Sequence, residues 1–480
     1  MKPTTLLRLA LAGSRTDGLR VALTAVSAAL ATVVILAALT VIAIPELGER
    51  VNNNRYVNAL LDEPGLRGGT AITLVMLTIP ILALAGQCAR LGAPARDRRL
   101  AGFRLAGASP GQATLIALAE TGVAALVGTG VGTGAYFAAR VLLDRPRPDG
   151  LLPLPTDVLP SPVAIGIVVV ALPLVAALAA AVMLRRVVVG PLGVVRQARR
   201  TRAPLPWPGA LIVLGLIGAG SILPIFRYYD ARQLQPPDWI VLVVGFGGPL
   251  CAILGVILGT GWISYATGRL LHRFGRRPAV LLAARRLTTD PWHGGRTFAA
   301  LLTCVVVGAG AACMRGYFQI MRDLELAELR DNTGNFVPSD DNFYLSTMNL
   351  VDLAIVVALV IAAGGLLVAV GEGIVSRRRA YAALVASGVP RGVLARSILW
   401  QALAPVVPSV VLALFVGTQL VGRTYTRGGV ENYGRTAPYV LPWDTLASYG
   451  LLAVAAVAVA VGVGLLFLRG STAVEELRTG

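Results

Sequence analysis

Two acids, Glu120 and Asp352, fall inside long apolar runs of this 480-residue chain. An ionised carboxylate in such a run is costly and is usually functional or paired. Two chemistries are open to it: a proton relay, or an ion pair with an arginine near the end of the run. Glu120 stands roughly 12 Å from the nearer end of its run at 1.5 Å per residue. Asp352 lies close to an end of its own, where its side chain is expected to snorkel to the surface. A second chemistry is basic. Arginines cluster at Arg96, Arg98 and Arg99 and again at Arg377, Arg378 and Arg379, each time ahead of a small-residue segment that runs into an apolar helix. Such clusters suit an acidic partner surface or anionic lipid head groups.

Catalytic and cofactor chemistry finds no support. Nothing in the chain sets a nucleophile beside a base or pairs carboxylates for hydrolysis. Cys88, Cys251, Cys304 and Cys313 show no CxxC spacing, and the two histidines, His272 and His293, share one loop, so neither a metal nor any other cofactor is expected. The only lysine is Lys2, which removes the GxxxxGK[ST] phosphate loop, so any ATP hydrolysis belongs to another chain. The run GTGVGTG at 128–134 lies within an apolar stretch. Its GxxxG spacings, Gly128/Gly132 and Gly130/Gly134, read as close helix packing, as do the glycines of 245–261, with Pro249 as a kink.

The elements that must hold these residues are membrane helices. The chain is 55% hydrophobic and 14% charged, with a mean hydropathy of +0.71, too apolar for a soluble protein of this size. Apolar runs predict ten spans, near 21–44, 70–89, 112–139, 161–184, 208–226, 238–262, 297–314, 347–371, 396–422 and 446–468. The fifth is the weakest, with Pro206, Pro208 and Pro224 at its ends. With ten spans, 29 of the 43 basic residues fall on the side that holds both termini, and 17 of the 25 acids fall on the other. The positive-inside rule then puts both termini in the cytoplasm. The first run is too long for a cleaved signal peptide and is expected to be retained. The net charge of +18 is thus topological, and no basic stretch carries a nucleic-acid motif.

Aligning Gly107 with Gly388, an offset of 281, superposes RRLAGFRLAGASPGQATLIALAE (98–120) on RAYAALVASGVPRGVLARSILWQ (379–401). Arg98 meets Arg379, Phe103 meets Leu384, Gly111 meets Gly392 and Glu120 meets Gln401. In each copy glycine stops a short helix and proline opens the next, Gly107 to Pro110 and Gly388 to Pro390. The neutral Gln401 favours the paired role over the relay for Glu120. The expected fold is an all-α polytopic membrane protein of two four-helix repeats with a central helix pair. Its parts are a first helix and loop (1–69), a first repeat core (70–190), a basic linker and central pair (191–296), a seventh helix and short acidic loop (297–346), a second repeat core (347–470) and a tail (471–480). The loops at 185–207 and 269–296 read as basic, interfacial connectors, and 315–348 as a charged extension of the seventh span.

The arginines, a short LxxLGAS-like run and a turn feeding an apolar helix with an acid two turns in resemble the FtsX/MacB-like permease family of ABC transporters. The matching residues are Arg98, Phe103, Leu105, Gly107, Ala108, Ser109 and Glu120, and more weakly Arg379, Leu384, Gly388 and Gln401. The resemblance implies that 96–108 and 377–389 are coupling helices seated on a cytoplasmic ABC ATPase, in two copies. Arg98, Arg99, Phe103, Leu105, Gly107, Ser109, Arg378, Arg379, Leu384, Gly388 and Pro390 would then form the contact. It further implies a multi-pass subunit of the bacterial cell membrane, surrounded by lipid, that exports or extracts a hydrophobic or amphipathic compound, peptide or lipid. The ten-helix plan is similar to the bacitracin-resistance-type subgroup, but 315–348 stands where that subgroup carries a large extracellular domain. Arg99 and Ala380 stand where the family usually has an acid. Two other readings stay open: a non-transporting protein that passes force to an envelope partner, and an ion-coupled transporter.

Overall fold

A computed structural model of the chain describes residues 15–45, 55–62, scattered positions between 67 and 107, 109–148, 150–188, 204–234, 236–237, 240, 243–331, 343–375, 377–425, 429–432 and 434–471. Among these residues the protein is almost wholly helical. Eight helices are long and apolar enough to cross a membrane, within Val21–Ile42, Leu118–Leu143, Pro208–Asp230, Val243–Phe274, Phe298–Glu328, Thr347–Gly371, Arg391–Gly422 and Trp443–Leu466. A ninth predicted span is the helix Pro162–Val188, whose apolar stretch Pro162–Leu178 is shorter. The predicted span 70–89 lies largely outside the described residues. The chain divides into two compact units, 1–199 and 200–480.

In the first unit α1 (Arg15–Ile42) packs along α2 (Pro110–Leu143), and α2 along α3 (Pro162–Val188). Gly128 and Gly132 make the first contact close. A Cβ on Gly132 would stand 2.5 Å from the Ala29 carbonyl oxygen, and one on Gly128 would overlap the Ala25 backbone. Gly130 and Gly134 meet nothing within 4 Å, so among the described residues one of the two expected GxxxG registers packs and the other does not. At 100° per residue, positions two apart point nearly opposite ways. Thr40 and Tyr136 hydroxyls share a buried 2.6 Å hydrogen bond across the same pair.

In the second unit α4 (Pro208–Asp230) pairs with α5 (Gly248–Phe274), which a π-helical turn, Val243–Gly247, precedes. Pro208 opens α4 where its missing N–H costs no helical bond. The irregularity expected at Pro249 takes the form of that π turn. The amphipathic α6 (Pro278–Thr289) buries Ala279, Ala283, Ala284 and Leu287 and leaves Arg285 exposed, and it packs on α5 and on α10 (Arg391–Tyr425). The centre is α7 (Trp292–Asp331), surrounded by α5, α8 (Phe343–Val375), α10 and α11 (Trp443–Ser471). Its small residues admit neighbouring backbones: a Cβ on Gly417 of α10 would stand 2.7 Å from Ala309 Cβ. Lipid is as apolar as leucine, so this contact is held by dispersion and close fit. Two thirds of the apolar window of α7 is buried, against 39% or less in every other described span. At 1.5 Å per residue its 40 residues run about 60 Å, twice a hydrocarbon core. The seventh span therefore continues as the charged extension expected from the sequence.

Candidate functional site

The short helix α9 (Arg378–Ala386) lies between the long helices α8 and α10. Arg377 caps its start without a side-chain bond. Its end is a Schellman motif: Val389 N–H donates to Leu384 O and Gly388 N–H to Val385 O, both at 3.0 Å. The motif needs a left-handed residue, and Gly388 has φ +92°, a value that strains any residue with a Cβ. Leu384 and Val389 pack together against the main core of the unit, and Tyr381 and Ala382 are buried. The opposite surface, Ala383, Ala386, Ser387, Gly388 and Pro390 to Gly392, is exposed. The helix thus has a buried inner face and a bare corner.

The first copy repeats the corner. Gly107 has φ +91°, Ser109 caps α2, and Pro110 opens it. Ser109 and Gln112 form a capping box, with Gln112 N–H to Ser109 Oγ at 3.3 Å and Ser109 N–H to Gln112 Oε1 at 3.0 Å. Arg98, Arg99, Phe103 and Leu105 lie outside the described residues, as do the side chains of Arg378 and Arg379.

The connector α6 reaches the same end of the second unit as α9. Arg286 Nη1 donates to Tyr381 Oη at 2.9 Å, with the guanidinium 5.8 Å from the ring centre. A Cβ on Gly268 would meet Leu287 Cβ at 2.8 Å, so α6 can lie flat on α5 only because residue 268 is glycine. Spacing alone could not pair residues 95 positions apart. The available signal was the apolar stripe of 279, 283, 284 and 287, which leaves Arg286 at its edge.

The intramembrane polar residues separate by role. Glu120 is buried and takes part in polar contacts. Gln401, at the matching position, donates to Ser397 Oγ at 3.0 Å. Asp352 does not snorkel freely. Arg315 Nη2 reaches its Oδ2 at 2.5 Å, and Tyr449 donates to its Oδ1 at 2.9 Å, which locks α7, α8 and α11 together. Beyond this lock the hairpin β1 (Val430–Asn432) and β2 (Arg435–Ala437) clasps the α7 extension. Arg435 bonds Glu328 at 2.8 Å and Asp331 at 2.5 Å, and both bonds push its pKa up. Tyr439 donates to Cys313 O at 2.9 Å, and burial followed by its contact with Cys313 raises the pKa of its hydroxyl. Among the described residues no cluster of His, Cys, Asp and Glu could hold a metal, and Cys251, Cys304 and Cys313 are free thiols within helices.

Eight helices long and apolar enough to cross a membrane, among the described residues, make this an all-α polytopic membrane protein. Residues 353–473, which contain α9, α10, α11, the hairpin and the last two thirds of α8, match the family described as FtsX-like permease C-terminal. The matched stretch is about a quarter of the chain, and it supports an FtsX/MacB-like ABC permease family and a permease component of an ABC-type transporter. Permeases of this kind generally partner with an ABC ATPase. No curated protein and no solved structure matches the chain.

Proposed function

We propose that the chain forms the membrane path of an ABC complex in which a separate ATPase, in two copies, docks on α9 and on the matching segment 96–108. ATP hydrolysis in that partner drives export or extraction of a hydrophobic or amphipathic compound, peptide or lipid. In this reading the end carrying α6 and α9 faces the cytoplasm of a bacterial cell, together with both termini, and the hairpin end faces out. The observation that carries it is α9: a helix too short to span, fixed on its inner face and bare at its Ser387–Gly392 corner, joined directly to α8 and α10. A push on that corner is delivered to two spans at once.

The test is capture of ATPases encoded beside this chain by the detergent-solubilised protein. It compares the wild type with a variant in which Arg98, Arg99, Arg378 and Arg379 are all changed to Glu. Capture by the wild type and its loss in the variant is the expected result. An intact wild type that captures no ATPase would overturn the reading.

A second reading, force transmission to an envelope partner without cargo, is favoured by α7, which runs far past a single span and is clasped by the hairpin. Reconstituted vesicles separate the two: ATP-dependent movement of an amphipathic probe supports transport, and ATP-dependent protection of the hairpin from protease with no movement supports transmission.

A further inference from the structure

Where α6, α8, α9 and α10 meet, the second unit forms a half-open cavity of about 100 Å³. A single water needs about 10–15 Å³ on the same measure, so there is room for several waters or one tetrahedral oxyanion. Its floor is apolar, with Ile398, Ala402 and Val461, and its polar wall holds Arg286, Asp290, Arg377, Tyr381 and Gln401.

The wall has more hydrogen-bond donors than acceptors. Arg286 has five N–H groups and spends one on Tyr381. Tyr381 accepts that bond, so its own proton points to another acceptor. Gln401 spends one amide proton on Ser397. Among the described residues no ion pair joins the Asp290 carboxylate to Arg286 or Arg377, although all three line the same space. Among the described lining residues, two guanidinium groups stand against one carboxylate, an excess of positive charge. Tyr381 is buried and Arg286, Arg377 and Gln401 are half-buried, and what suits several such converging donors is an anion with several oxygens.

We infer that this cavity binds a phosphate group, held by Arg286, Arg377 and the Tyr381 hydroxyl, supplied by the head group of an anionic phospholipid or by free phosphate. Basic pockets between helices at a membrane surface take such head groups. The bound phosphate joins α6 to the α8–α9 junction, so an occupied site holds α9 in one position on the bundle. The site does not depend on which partner presses on α9.

The experiment uses the purified full chain in nonionic detergent, with dioleoyl phosphatidylglycerol, dioleoyl phosphatidylcholine and inorganic phosphate as probes. Binding is read by native mass spectrometry and by the shift in melting temperature. Arg286→Gln and Arg377→Gln are each expected to weaken binding of the anionic probe about tenfold, the usual loss for a charge-assisted bond. Asp290→Asn removes the opposing charge and is expected to strengthen it about threefold. That gain cannot arise from misfolding. Preference for phosphatidylglycerol over both other probes identifies lipid as the source, and equal protection by inorganic phosphate identifies the free anion. Equal retention of all three probes by wild type and arginine variants overturns the site, as does unchanged or weaker binding by Asp290→Asn.

Discussion

Arg315 of α7 and Asp352 of α8 form a 2.5 Å ion pair inside the span ends of the second unit, and Tyr449 of α11 donates to the same carboxylate. Three helices are joined at one point by a charge that each alone could not place in an apolar environment.

Asp352→Asn should destabilise the protein by about 1–3 kcal/mol, because the arginine loses its counter-charge but keeps partial access to water. Thermal unfolding in detergent measures it. Adding Arg315→Gln should recover part of the loss, and a purely additive double variant would show that the pair is not coupled.

Gly388→Val should cost about 1–2 kcal/mol in local stability, since a β-branched residue must adopt φ +92°. Hydrogen exchange is expected to rise at Gly388 and Val389, whose N–H groups close the Schellman motif. ATPase capture should fall with it.

Gly132→Val should weaken the α1–α2 contact by about 1–3 kcal/mol through overpacking on Ala29. Gly130→Val, whose position is open, should shift stability by under about 0.5 kcal/mol. The comparison is made by denaturation in mixed micelles; equal effects would mean that the two glycine registers are equivalent.

Arg435→Ala should leave the melting temperature almost unchanged but make the Val430–Ala437 hairpin more open to protease, because both side-chain ties to the α7 extension are lost. High salt should have the same effect on the wild type in milder form. A hairpin cleaved no faster in the variant than in the wild type would show that Asn432, through its bond to Met321 O, is the anchor.

Several features could be read along the chain because their causes are local. Apolar length fixes the spans, proline at a first turn and glycine at a left-handed stop mark the corners at 107–110 and 388–390, and the long charged continuation of 297–314 is helical. The two GxxxG registers looked equivalent, yet Gly132 packs and Gly130 does not, because the choice depends on how α2 is rotated against α1. Asp352 was legible as an acid near a span end, but its partner Arg315 belongs to a different helix.

The amino-acid sequence by itself determined that this is a many-helix membrane protein with short basic corner segments, since a helix in lipid must satisfy its own backbone and reveals itself through composition and caps. Only the tertiary structure decided which helices are neighbours and how each is turned. It alone joined Arg286 to Tyr381, Arg315 to Asp352, and two arginines around one cavity. In a membrane almost every lateral packing buries similar apolar surface, so hydrophobic pattern barely distinguishes one arrangement from another, and the few polar groups reveal their roles once their neighbours are known.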